Sequence, residues 1–109
     1  MAGERPALGD VTMYVLAALA GGERHGYAIV QQVHTLSDDR VRLGTGTLYG
    51  ALERMLEAGQ VVVAREETVA GRFRRYYRIT PSGRGDLDAE LERREADLRS
   101  IRAQVLGAT

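Results

Sequence analysis

Few residues in this chain have the types and spacing that chemistry requires. The segment from Gly44 to Gly50, GTGTLYG, crowds three glycines where a helix begins, the arrangement in which a loop wraps a nucleotide phosphate. A strand-like run, VVVAREE, follows that helix and ends in Glu66 and Glu67, so strand, glycine turn, helix, strand and acid stand in the order of half a dinucleotide-binding fold. The histidines, His25 and His34, are nine positions apart. At ~100° per residue they fall on opposite faces of a helix and do not share a metal. Asp38-Asp39 and Glu66-Glu67 are adjacent pairs, which diverge on any regular element and read as solvated turns rather than acid–base pairs. Serines 37, 82 and 100 have no histidine in a motif context to activate them. No catalytic residue, metal site or cofactor is therefore expected, and the chain reads as a non-enzyme.

Arginine is the remaining chemistry. The sequence has 15 cationic residues, all arginine, against 15 carboxylates, a formal net charge of zero, so only the placement of the arginines is informative. A length of 109 residues holds one domain, and the absence of cysteine excludes a disulfide framework or a thiolate metal site. The first apolar segment, VTMYVLAALA, lacks the basic lead-in of a signal peptide and is shorter than the roughly 20 residues that span a bilayer. The expected location is the cytoplasm, with no membrane partner.

Helical periodicity accounts for the first half of the chain. In LGDVTMYVLAALA, Leu8, Val11, Val15, Leu16 and Leu19 recur at helical spacing, with Asp10 placed to cap the start and Gly21-Gly22 to end it. RHGYAIVQQVHTL repeats the pattern, with Tyr27, Val30 and Val33 on one stripe and Ile29 and Leu36 beside it. Tyr14 and Tyr27 are expected in the core or at a subunit interface. The third helix, TLYGALERMLEAG, buries Leu48, Leu52, Met55 and Leu56, closes at Gly59, and carries Thr47, Tyr49, Gly50, Glu53, Arg54 and Glu57 on its other face.

From Val61 the period becomes two. VVVAREE and RFRRYYRI read as strands separated by a short turn, with Gly71 available for a positive backbone angle. That hairpin argues against the dinucleotide fold, which needs a crossover so that its next strand lies parallel, and leaves a small nucleotide-binding fragment as a third reading. The absence of lysine excludes a P-loop. Helix, helix, turn, helix and hairpin is instead the order of a winged helix-turn-helix, in which the third helix enters the major groove and small residues at its start let backbone approach phosphate. The wing segment GRFRRYYRITPSGRG holds Arg72, Arg74, Arg75, Arg78 and Arg84 and no acid. Arg72, Arg74, Tyr76 and Arg78 share one strand face; Phe73, Tyr77 and Ile79 are expected to join the core from the other. Arg75 has the inward parity, with a twisted tip to turn it outward.

Thr80-Pro81 opens a last helix, threonine as cap and proline in the first turn. Leu87, Leu91, Leu98, Ile101 and Val105 recur there at heptad-compatible steps with Arg94 in the remaining slot. A seam this long exceeds what the preceding domain covers, and it reads as a dimer helix. The fold class is thus mainly α with a small β-hairpin: a winged helix-turn-helix over residues 8–80 and a dimerisation helix over 81–107.

LGDVTMYVLAAL, HGYAI, GTLYGALERMLEAGQV and GRFRRYYRITPSGR, in this order over residues 8–87, resemble the PadR family of bacterial transcriptional regulators. The resemblance implies a dimeric repressor, released by a small-molecule effector, whose third helix and wing contact operator DNA in the nucleoid. The residues it places at DNA are His25, Gly26, Tyr27, Thr45, Gly46, Thr47, Tyr49, Gly50, Arg54, Arg72, Arg74 and Arg75. Those expected at the dimer interface are Leu8, Val11, Tyr14, Val15, Leu87, Leu91, Leu98, Ile101 and Val105. The family usually has proline after the tyrosine of GTLY, and here Gly50 stands in its place. The alternative reading is a winged-helix module whose basic wing meets an acidic protein.

Overall fold

A computed structural model describes residues 4–107. Its elements are α1 (Asp10–Ala20), β1 (Arg24–His25), α2 (Gly26–Leu36), α3 (Thr45–Glu57), β2 (Val61–Val69), β3 (Arg72–Ile79) and α4 (Pro81–Gly107). Val15, Leu16 and Leu19 of α1 close on Ile29 and Val33 of α2, and on Leu48, Leu52 and Met55 of α3. Val61, Tyr77 and Leu87 complete the core from the sheet and from α4. Burial of these stripes is what orders helices too short to be stable alone.

The turns have identifiable causes. Between α2 and α3, Ser37 is fully buried; its hydroxyl donates to the His34 carbonyl at 3.2 Å and accepts the Val41 N–H at 2.9 Å. Asp38 and Asp39 take positive φ there, which aspartate tolerates better than most residues. Gly59 ends α3 at φ +73. At the wing tip, Ala70 and Gly71 have φ values of 51 and 78, the two successive positive angles of a type I′ hairpin.

The wing contains one strand more than the hairpin read from sequence. Arg24 and His25 pair antiparallel with Tyr77 and Tyr76, giving the sheet order β1-β3-β2. A register shift between Val63 and Arg65 places a bulge at Ala64, so the alternation changes phase halfway along β2. The sheet also outruns the helices beneath it. Tyr77 is buried, but Phe73, of the same parity and expected in the core, is 61% exposed. Nor is Tyr27 a core residue: it stands at the first turn of α2 and is 68% exposed, while Ile29 and Val33 point inward.

Among the described residues, α4 is anchored through its first half, as far as Arg94. Thr80 caps it, its hydroxyl accepting the Gly83 N–H at 3.0 Å. A Cβ on Gly83 would stand 2.1 Å from the Gln60 carbonyl oxygen, so glycine is what lets this helix meet that backbone. Asp86 accepts from Gln60 and from Arg5, at 3.0 and 2.9 Å. Glu90 accepts the Leu8 N–H at 2.8 Å together with the guanidinium groups of Arg93 and Arg94. These donors, the Leu8 amide first, hold the Glu90 carboxyl down to about 2. Arg94 continues to Asp10 and to the Leu8 carbonyl, so it straps the N-terminal segment rather than filling a heptad slot. Asp10 is correspondingly no cap: Gly9 holds that position and makes no side-chain bond.

Three residues expected at a dimer interface are corrected by this packing. Leu8, Val15 and Leu87 are buried in the chain's own core and leave little surface for a partner. Their periodicity marked an apolar face without showing what covers it. Val11 and Tyr14 are half-buried against the same core, whereas Leu91, Leu98, Ile101 and Val105 are exposed.

Candidate nucleic-acid interface

α2, α3 and β3 converge on a cleft of about 300 Å³ lined by His25, Gly26, Tyr27, Tyr49, Arg72, Phe73, Arg74 and Arg75. Seven of the residues that the sequence assigned to DNA are thus brought together, and Phe73, assigned to the core, stands among them. Thr45, Gly46 and Thr47 are exposed on the first turn of α3, and Arg54 is exposed further along it. They lie outside the cleft but on the same helix as Tyr49.

Close backbone approach sets the floor of the cleft. A Cβ on Gly26 would stand 2.4 Å from the Tyr49 hydroxyl oxygen, so Tyr49 folds across the start of α2 because that position has no side chain. This gives the glycine of HGY and the tyrosine of GTLY one joint role. Gly50 differs: the site of its missing Cβ meets only the Arg54 guanidinium, at an ordinary 3.5 Å. Its presence inside α3 costs about 1 kcal/mol of helix propensity relative to alanine.

His25 precedes α2 in extended backbone and makes no side-chain cap bond. Its ring meets Tyr76 edge-on at 5.3 Å, and the opposite partner of Tyr76 is Arg65, whose guanidinium lies 3.8 Å from the ring centroid. Burial, and then the charge of Arg74, lower the His25 pKa below its ordinary value, while Glu67 opposes them. His25 therefore enters the cleft mainly as a neutral imidazole at pH 7.

Pairing sorts the arginines. Glu66 and Glu67, read from sequence as turn residues, belong to β2 and face Arg75 and Arg74 across the hairpin. Glu66 comes within 3.6 Å of Arg75. Glu67 accepts the Tyr76 hydroxyl at 2.8 Å, the main reason its carboxyl is lowered, and it also takes Arg65, which in turn reaches Glu23. The wing segment, acid-free in sequence, is thus partly neutralised by its partner strand. Among the described residues, Arg72, Arg74 and Arg78 of β3 and Arg54 of α3 have no carboxylate within ion-pair distance. Arg84, counted with the wing, bonds the Ala20 carbonyl at the end of α1. Arg24 does the same for Ala18, a role that its sequence position did not suggest.

Residues 15–89 match the Transcriptional regulator PadR-like family. The chain belongs to that family. A transcriptional regulator, Rv3488, of Mycobacterium tuberculosis is 40% identical over 97 residues, covering 89% of this chain and 83% of that protein. A 37.1 kDa protein in transposon TN4556 of Streptomyces fradiae is 49% identical over 81 residues; the match covers 74% of this chain but only 22% of that longer protein. In fold, the chain is similar to Bacillus subtilis PadR, solved in complex with operator DNA, with a TM-score of 0.66 at 21% identity over 74% of this chain and 46% of that one. PadR-family regulators are not enzymes, and none of the described helices is long and apolar enough to cross a membrane.

Proposed function

We propose that the chain is a homodimeric repressor that binds a palindromic operator and is released by a small-molecule effector. The observation that carries this reading is the cleft in which Tyr49 of α3 meets the unpaired Arg72 and Arg74 of the wing, on the same helix as the exposed first turn of α3. In the winged-helix arrangement, each α3 enters a major groove with its N-terminal residues nearest the base edges, and wing arginines neutralise phosphates. His25, Gly26 and Tyr27 then lie against the backbone at the start of α2, and Thr45, Thr47, Tyr49 and Arg54 face the bases. Bacillus subtilis PadR, of the same fold, was solved on its operator, which supports the assignment.

Dimerisation follows from α4. Leu91, Leu98, Ile101 and Val105 are 40 to 67% exposed along one seam, and such a stripe gains by pairing with a second copy. Two α3 helices held by that pairing would meet successive major grooves, with half-sites ~10 base pairs apart. An effector that alters the spacing of the two helices would weaken binding, a step that the family resemblance supports.

Selection from random duplexes tests the reading: it should enrich a palindrome of that spacing, whereas recovery of no preferred sequence would favour a protein-binding module. Replacing Leu98 by Asp should give a monomer in sedimentation, because a charge in an apolar seam is costly without a partner. An intact dimer would place the interface elsewhere.

A further inference from the structure

We infer that Arg65 is a positioning residue for DNA binding that does not itself touch DNA: with Tyr76 it holds the Glu67 carboxylate away from Arg74 and so keeps Arg74 free for phosphate. The inference rests on the DNA-binding reading and extends it to a residue of β2 that lies outside the cleft.

Four side chains on one face of the wing form a square. Residues two apart on a strand share a face, so Arg65 and Glu67 of β2 stand beside Tyr76 and Arg74 of β3, with Arg65 opposite Tyr76 and Glu67 opposite Arg74. The bulge at Ala64 creates this arrangement. Continued without it, the register that sets Val61 opposite Ile79 would put Glu66 opposite Arg74 and Glu67 opposite Phe73.

An acid and an arginine directly opposite on antiparallel strands attract one another. The neighbouring pair responds: Glu66 comes within 3.6 Å of Arg75. Glu67 and Arg74 form no ion pair among the described residues, although they are equally opposed. Both oxygens of Glu67 are engaged elsewhere in the square. Oε1 accepts the Tyr76 hydroxyl at 2.8 Å, and Oε2 accepts the Arg65 guanidinium. Arg65 is fixed in turn by Glu23, which accepts its Nε–H at 2.8 Å, and by the Tyr76 ring, whose centroid lies 3.8 Å from its guanidinium carbon. His25 meets the same ring edge-on at 5.3 Å, so the ring is held between two strands. Glu67 thus has its full complement of donors without Arg74. If Arg65 is removed, a cation for the freed oxygen stands directly across the hairpin.

The test is rescue by removal of the carboxylate. Affinity for the duplex recovered by selection is measured by fluorescence anisotropy across salt concentration, and circular dichroism checks that each variant folds. Arg65→Met should weaken binding about threefold to fivefold at low salt, the upper range for an exposed ion pair, and shift the salt slope toward that of Arg74→Ala. Glu67→Gln should bind at least as well as the wild type. Combining Arg65→Met with Glu67→Gln should restore affinity to within about twofold of Glu67→Gln alone, because no carboxylate remains to capture Arg74. Adding Arg65→Met to Arg74→Ala should weaken binding no further, since both act through one contact. Tyr76→Phe keeps the ring and loses the hydroxyl that bonds Glu67, so it should act in the same direction with a smaller effect. An Arg65 that met phosphate itself would keep its loss in either double variant. That result, or full affinity in Arg65→Met, would overturn the inference and leave DNA binding intact. Absence of salt-dependent binding of the wild type to any duplex would instead overturn the DNA-binding reading, and the role of Arg65 with it.

Discussion

Arginines at two ends of this molecule have different surroundings. Where the N-terminal segment meets α4, Arg5, Arg93 and Arg94 each reach a carboxylate, and each also reaches a backbone carbonyl. On β3, Arg72, Arg74 and Arg78 reach no carboxylate among the described residues, and acids on the neighbouring strand are occupied by Arg65, Arg75 and Tyr76. A guanidinium whose donors are already used holds segments together. One whose donors are free, in a cleft with exposed aromatic rings, is available to an anionic partner. The comparison teaches that the number of arginines says little and their pairing says much, which is how a chain of zero net charge can present a basic face.

Perturbing the paired end should alter stability and spare DNA binding. The largest effect is expected for Gly83→Ala, whose methyl would meet the Gln60 carbonyl, itself held by the Thr80 N–H at 3.0 Å. Overpacking of this kind costs about 1–3 kcal/mol, so thermal unfolding should drop by several degrees while the folded fraction binds DNA normally. An unchanged melting temperature would mean that α4 can shift on the core.

Acid should act on the same end. Glu90 titrates at about 2 when folded against an ordinary 4.5, so its contribution is complete above 4.5 and is lost as pH falls from there toward 2. Urea unfolding across that window should show declining stability in the wild type and a flatter profile in Glu90→Gln. Parallel profiles would assign the acid sensitivity to other carboxylates.

What the sequence disclosed follows the range of the interactions. Helical stripes, the period-two hairpin, the Thr80 cap and the Gly59 and Gly71 turns are local, and each was legible. The position of Phe73 was not, because alternation gives the parity of a strand residue and not the point where the helices beneath the sheet end. Leu8, Val15 and Leu87 were apolar at the right spacing for an interface, yet an apolar face does not disclose its cover. The strap through Glu90 joins residues more than eighty positions apart and has no local pattern. The pairing of Glu66 with Arg75 needed the hairpin register, which the bulge at Ala64 shifts. For the candidate site, seven of the twelve DNA-assigned residues share one cleft because HGY, GTLY and the wing motif each supply one wall.

The central claim, that the unpaired Arg74 of the wing serves DNA and the paired Arg94 of α4 serves the fold, is tested most directly by salt dependence in a matched pair of variants. Affinity for one duplex is measured across salt concentration for the wild type, Arg74→Ala and Arg94→Ala. The account predicts that Arg74→Ala lowers the slope of log affinity against log salt by about 0.9, the loss of one phosphate contact, with stability retained. Arg94→Ala should leave the slope unchanged and lower the melting temperature. A slope unaltered by Arg74→Ala, or lowered equally by Arg94→Ala, would contradict it.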